Sequence, residues 1–300
     1  MSMDRRTLLK GAAVAGAGTA VSAATTAEAS STRPAAPADA VGMLYDATRC
    51  IGCQACVTAC KTANNLPGNR YDPPKDLDGY TKNIIKLYES NGEQSYMKQQ
   101  CMHCIDPGCA NACMIGAFKK RELGIVTWDP DRCIGCRYCQ VACPYNIPKF
   151  QWDTAVPKIV KCELCHHIIV DPTTGDYKEG TQPGCCQACP KEAVIFGKYE
   201  DLLADAQQRI ADHPERYYPA GNPKIFGETD GGGTQVLYLA DVSFDKLGLP
   251  ELGDEGVAHL SRSIQHGIYK GFIAPVALYA VLGAVLWRNR RASEKGGSDE

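Results

Sequence analysis

The sequence predicts an α+β fold, made of a small strand-and-helix domain built by duplication, a C-terminal extension and one transmembrane helix. Three observations predict it. Sixteen of the seventeen cysteines fall into four quartets, short apolar stretches flank those quartets in a repeating order, and Gly271 to Trp287 runs for seventeen residues without a charge. At 300 residues the chain is long enough for about two domains of roughly 150 residues each. Its cysteine content stays below the roughly 8 to 10% that marks a disulfide miniprotein. With 44% apolar residues, 22% charged residues and a formal net charge of −2, it is neither a disordered chain nor a nucleic-acid binder working through bulk charge.

The quartets carry the chemistry. Cys50, Cys53, Cys56 and Cys60 form a C-x2-C-x2-C-x3-C run, and Cys133, Cys136, Cys139 and Cys143 repeat it ahead of Pro144. Cys101, Cys104, Cys109 and Cys113 widen the middle gap, and Cys162, Cys165, Cys185 and Cys189 widen it much further. The x3 gap closes every quartet, which selects Cys185 over Cys186 as the third member of the last one. Three thiolates on a tight loop can cap three irons of a [4Fe-4S] cubane, and the fourth iron takes its thiolate from another run. The spacing therefore predicts four [4Fe-4S] clusters on a bacterial ferredoxin-like frame. A zinc site or disulfides are the alternative for the last quartet taken alone, and an exported zinc or disulfide structural module is the alternative for the whole chain.

The strands follow the same logic. Met43-Leu44-Tyr45 precedes the first quartet and Val194-Ile195-Phe196 follows the fourth; Ala117-Phe118 follows the second and Ile125 to Trp128 precedes the third. Pairing a strand before one run with a strand after its partner gives two nested hairpin frames over 42–198. Next, Leu202, Leu203, Ala206 and Ile210 form one apolar face of a helix over Tyr199 to Ala211. From 199 to 266 the reading is this helix and then an extended docking segment, with core packing an equal alternative for Thr234 to Ala240.

Both ends speak of location. Arg5-Arg6, the Gly/Ala-rich stretch from Gly11 to Ala24, and Ala27-Glu28-Ala29 read in order as a twin-arginine signal over 1–29, cleaved after Ala29. The uncharged run lies within an anchor over 267–291, and at about 1.5 Å per residue seventeen residues reach roughly 25 Å, close to a 30 Å hydrocarbon core. Arg288, Arg290 and Arg291 follow, so the positive-inside bias leaves the C-terminus in the cytoplasm. The expected location is the periplasmic face of the inner (cytoplasmic) membrane.

Other features carry less. Lys61, Lys119, Lys120, Arg121, Arg132, Arg137, Lys158, Lys161, Lys191 and Lys198 flank the quartets and could offset the roughly −8 that four oxidised cubanes bring. His103, His166 and His167 read as spacer residues, Trp128 as packing and Cys186 as a spare thiol. Gly231-Gly232-Gly233 reads as a turn, and no nucleotide loop or nucleophile–base pair emerges.

Gly42 to Asp46, Lys98 to Cys104, Gly135 to Cys139, Cys143 to Asn146 and Lys161 to Cys165 together resemble the HybA family, the membrane-anchored iron–sulfur subunits of hydrogenase-2 type [NiFe] hydrogenases. The four-quartet pattern alone is shared with iron–sulfur subunits of formate dehydrogenases and molybdopterin oxidoreductases. The resemblance implies interlocked ligation. Cys50, Cys53 and Cys56 would take Cys189; Cys162, Cys165 and Cys185 would take Cys60. Likewise Cys101, Cys104 and Cys109 would take Cys143, and Cys133, Cys136 and Cys139 would take Cys113. It also implies the large and small hydrogenase subunits and a polytopic quinone-reactive membrane subunit as partners. Met114 and Lys61 stand where the family has proline after the last cysteine, and Met114 is expected to loosen its turn.

Overall fold

The first strand, β1 (Val41–Asp46), is buried along its whole length because it is flanked on both sides. The computed structural model describes residues 35–67, 74–90 and 92–296, so the twin-arginine segment over 1–29 lies outside the described residues. One compact unit spans Arg33–Ala258, and the helix from His259 belongs to a second.

Within the first unit, β1 pairs antiparallel with β8 (Val194–Lys198), Leu44 facing Ile195, and parallel with β9 (Val236–Leu239), Leu44 facing Leu237. Two further pairs were foreseen or hidden in different ways. Strands β4 (Phe118–Lys120) and β5 (Val126–Trp128) form the second hairpin frame, with Phe118 opposite Trp128. The β2 (Ile84–Ser90) and β3 (Glu93–Gln99) hairpin was not predicted, although Asn91-Gly92 between two apolar runs is a strong turn signal. A fourth pair joins β6 (Lys149–Phe150) to β7 (Ile159–Val160).

Every quartet ends on a short helix that carries its third cysteine. These are α1 (Ala55–Ala63), α2 (Gly108–Asn111), α3 (Tyr138–Val141) and α5 (Gly184–Gln187); α4 (His166–Ile169) follows the first two cysteines of the last quartet. The x3 gap thus spans one helical turn and keeps the two thiols on one side. The helices pack in pairs through glycine. A Cβ on Gly108 would lie 2.8 Å from the Ala142 carbonyl oxygen, and one on Gly184 would lie 3.2 Å from that of Ala59.

Local conformation repeats as well. Gly52 and Gly135 have φ near +70°, and Gln54 and Arg137, the residues ahead of α1 and α3, are left-handed too. In the other two quartets His103 and Leu164 share a positive φ, and Pro107 and Pro183 precede α2 and α5. The turn after Cys113 keeps its Gly116 N–H to Cys113 C=O bond at 3.1 Å, equal to the Asn146–Cys143 bond after Pro144. Met114 therefore does not loosen it, since a glycine three residues after Cys113 supplies the needed positive φ.

The helix expected over Tyr199 to Ala211 is α6 (Tyr199–Asp212), which buries Tyr199, Leu202 and Ala206 against Leu44, Leu237 and Leu239. The extended segment expected after it is corrected, and the alternative, core packing of Thr234 to Ala240, is what the fold shows. Residues 214–258 fold back onto the unit, burying Tyr217, Ile225, Phe226, β9, Val242, Phe244 and Leu249. Without β9 one edge of β1 would be left with unpaired backbone groups in the core. Asp230 pins the return, accepting from Lys224 Nζ at 2.6 Å and from the Gly227 N–H at 3.0 Å.

In the second unit, α7 (His259–Gly296) contains a 21-residue stretch, Gly271–Arg291, long and apolar enough to cross a membrane. At about 1.5 Å per residue it reaches roughly 32 Å. Phe272, Ile273, Val276, Val281 and Leu286 are exposed on it.

Candidate metal centres

All seventeen cysteines are free thiols, which removes the disulfide alternative. They gather in sets that draw from more than one quartet. Cys50, Cys53 and Cys56 line one cavity together with Cys189, whose chain enters from the far end of the fold through β8 pairing with β1. Cys113 shares another cavity with Cys133, Cys136 and Cys139. Cys60 is surrounded by the thiols of Cys162, Cys165 and Cys185 together with the Lys98 side chain, and Cys104 by those of Cys101, Cys109 and Cys143.

Neighbouring sets also touch electrostatically. Cys56 acts on Cys185, Cys162 on Cys101, and Cys109 on Cys139. The four sets therefore form a row.

Backbone amides point at the sulfurs. Cys50 Sγ accepts from the Gly52 N–H at 3.5 Å and Cys162 Sγ from the Leu164 N–H at 3.4 Å. Cys113 and Cys189 each accept from an amide four residues on, Ala117 and Ala193, both at 3.2 Å. Such donors stabilise negative charge on sulfur and tune a bound cluster.

The thiols are held in a state that calls for a cation. Burial, with neighbouring thiols adding to it, pushes Cys109 up to about 12 and Cys139 and Cys165 up to about 11. Burial also dominates at Cys56, raised to about 12 although the Lys98 ammonium opposes the rise. Thiolates at these positions need bound metal to offset desolvation and mutual repulsion. Zinc would need its ligands converging at about 2.3 Å on one point. Among the described residues no three His, Cys, Asp or Glu side chains converge in that way, whereas four thiols from two quartets are spread around the lining of the first cavity. The donor set fits a cluster with several irons, each capped by one thiolate.

Cys186 is buried beside Cys185, and its S–H lowers the Cys185 thiol while its own rises, the result of burial and of the neighbouring sulfur. His103 is fully buried, and its Nδ1 accepts the Val126 N–H at 3.1 Å, so the ring is neutral with its proton on Nε2. His167 bonds the Ala63 carbonyl oxygen at 2.9 Å and His166 faces Glu122.

Among the flanking cations, Lys61, Lys120 and Lys161 turn inward to carbonyl oxygens: Lys61 to Pro67, Lys120 to Cys104 and Ile105, and Lys161 to Val126 and Cys162. Sequence reasoning missed Lys98, which is fully buried at the end of β3. Strand alternation gives no hint of it, because Met97 beside it is buried on the opposite face.

Fold and thiols define an iron–sulfur electron-transfer protein, and comparison with known families agrees. Residues 93–199 match the 4Fe-4S dicluster domain and residues 41–62 the 4Fe-4S binding domain. The hydrogenase-2 operon protein HybA of Escherichia coli O157:H7 is 41% identical over 99% of this chain and 99% of its own length. The formate dehydrogenase iron–sulfur subunit of Haemophilus influenzae is 33% identical over 82% of this chain and 78% of its own length. The formate dehydrogenase-O iron–sulfur subunit of Escherichia coli K12 is 35% identical over 79% of this chain and 77% of its own. The chain belongs to the HybA family.

Proposed function

We propose that this chain is the electron-transfer subunit of a hydrogenase-type oxidoreductase. It holds four [4Fe-4S] clusters on a duplicated ferredoxin-like unit over 42–198. The ligand sets are Cys50, Cys53, Cys56 with Cys189; Cys60 with Cys162, Cys165 and Cys185; Cys101, Cys104, Cys109 with Cys143; and Cys113 with Cys133, Cys136 and Cys139. The carrying observation is that thiols from opposite quartets share a cavity, as Cys189 does with Cys50 and Cys113 with Cys139. The repeated left-handed residues and paired helices support duplication. Bound clusters supply one-electron chemistry, and the protein holds them in a row, donates amides to their sulfurs and screens them from water.

Electrons pass between a [NiFe] hydrogenase, with its small and large subunits, and a polytopic quinone-reactive membrane subunit. The twin-arginine segment exports the folded chain, and Gly271–Arg291 anchors it on the periplasmic face with the C-terminus in the cytoplasm. Residues 199–258 complete the cluster unit, and the chain continues from there into the anchor helix. Greater identity and coverage for the hydrogenase-2 relative favour hydrogenase over formate dehydrogenase as the partner enzyme.

Anaerobic purification tests the reading. About sixteen irons per chain with broad brown absorbance are expected from four cubanes; colourless protein holding zinc overturns it. In Cys113→Ser the cluster held by Cys133, Cys136 and Cys139 should be the one altered in the EPR spectrum of the reduced protein.

A further inference from the structure

Two lysines sit where a charge has no water. Lys98 is 0% exposed and Lys161 2%. Lysine is almost never fully buried unless paired, and taking an ammonium out of water costs several kcal/mol. Lys98 Nζ donates to Gln100 Oε1, whose amide nitrogen donates to Met43 Sδ at 3.1 Å. Among the described residues no carboxylate lies within ion-pair distance of Lys98. Sulfur surrounds it instead. Lys98 lines the cavity of Cys50, Cys53, Cys56 and Cys189, and it acts electrostatically on Cys56, Cys60, Cys162 and Cys185. It therefore stands at the junction of the first and second sets in the row.

Lys161 occupies the next junction. Its Nζ donates to the Val126 and Cys162 carbonyl oxygens, and it acts on Cys101, Cys109, Cys143 and Cys162. The nearby Glu163 is engaged by Lys82 at 3.1 Å and by the Trp128 N–H at 2.9 Å. At the last set the charged neighbours that dominate at Cys139 are the thiols Cys133, Cys136 and Cys113. Lys61, also buried, directs its ammonium to the Pro67 carbonyl at 2.9 Å.

We propose that Lys98 and Lys161 are internal counter-ions of the electron path, each stabilising the reduced state of the two clusters it separates and so setting their potentials above what the thiolates alone would give. The inference rests on the four-cluster reading above. Each Nζ is held on acceptors, Lys98 by Gln100 Oε1 and Lys161 by the Val126 and Cys162 carbonyl oxygens, and Lys98 lines the thiol cavity directly. An added electron makes a cluster more negative, and an ammonium in a low-dielectric interior responds to that charge strongly.

Potentiometric titration of the anaerobic full-length protein, followed by EPR, tests the proposal, with the signal altered by Cys113→Ser marking the fourth cluster. Lys98→Met should lower the potentials of the first two clusters by at least a tenfold change in the oxidised-to-reduced ratio, which is ~59 mV for one electron. Gln100→Glu, which neutralises Lys98 in place, should act in the same direction, and Lys98→Arg should hold the potentials near wild type. Lys161→Met should lower the second and third. The fourth signal should stay put throughout, as should all four in Lys86→Met, a partly exposed lysine paired with Asp76. If Lys98→Met loses iron, Gln100→Glu and Lys161→Met decide. Unmoved or raised potentials in iron-replete variants overturn the counter-ion role alone. Wild-type protein without iron overturns the four-cluster reading, and the counter-ion role with it.

Discussion

The Asn64 side-chain amide reaches Cys165 Sγ at 3.9 Å across 101 positions of sequence, while the same nitrogen bonds the Cys60 carbonyl oxygen at 2.8 Å. Its oxygen accepts from Lys82 Nζ at 2.9 Å, and Lys82 pairs with Glu163. The end of the first quartet is thereby tied to the start of the fourth.

Replacing Asn64 by Leu removes a donor to two sulfurs of one set. Hydrogen bonds to sulfur favour the electron-rich state, so the potential of the Cys60 cluster should fall and the other signals hold. Loss of the carbonyl bond should cost about 1 kcal/mol in thermal stability. An EPR titration that leaves that potential unchanged would refute the assigned role.

Gly52 and Gly135 offer a matched pair. Both have φ near +70°, so alanine at either costs about 1 kcal/mol of backbone strain. A Cβ on Gly52 would sit 2.2 Å from the Tyr96 ring, but one on Gly135 would meet Phe150 at an ordinary 3.5 Å. Gly52→Ala should lower iron content by about one cluster, whereas Gly135→Ala should retain all four; equal iron loss in both would contradict the distinction.

Asp46 closes β1 with four side-chain hydrogen bonds from three residues. It accepts from Arg209 at 3.2 Å, Tyr217 at 3.1 Å, and the Thr48 N–H and hydroxyl at 3.1 and 2.6 Å. Its own carboxylate is buried while Arg209 is partly exposed. Asp46→Ala should therefore cost ~3 kcal/mol, the low end for breaking a buried ion pair. For a unit of this size a melting-temperature drop of roughly 6 to 12 °C follows, and a drop under 2 °C would show the network to be dispensable.

The anchor is testable through its charge tolerance. Leu278 and Leu282 lie mid-way along Gly271–Arg291. Arginine at each should cost about 2.5 to 3.5 kcal/mol in insertion, moving the protein from the carbonate-resistant membrane fraction to the soluble one. Persistence in the membrane would mean that another contact holds it there.

Much of the site was legible because cysteine spacing is a geometric statement: x2 and x3 gaps dictate a loop followed by one helical turn. Both hairpin frames could be read from where Leu44, Ile195, Phe118 and Trp128 stand relative to the quartets. Packing of Thr234 to Ala240 could be read as one of two alternatives, but the partner of β9 could not, because its pairing with β1 spans almost 200 residues and Phe226 and Phe244 around it follow no period. Lys98 was hidden for a different reason. A buried cation makes sense only against the thiols it faces, and those come from the first and the fourth quartets, at opposite ends of the cysteine pattern.

Interleaved sets also oppose the order of synthesis to the order of assembly. Cys50 is the first of the sixteen thiols to leave the ribosome, yet Cys189, its cavity partner, is the last. The sets built from Cys101 to Cys143 have all their members earlier, so the middle of the chain can close around metal while its beginning still waits. Half-made chains therefore carry open, reactive sulfur at their N-terminal end, and no fragment ending before β8 can seal the first site.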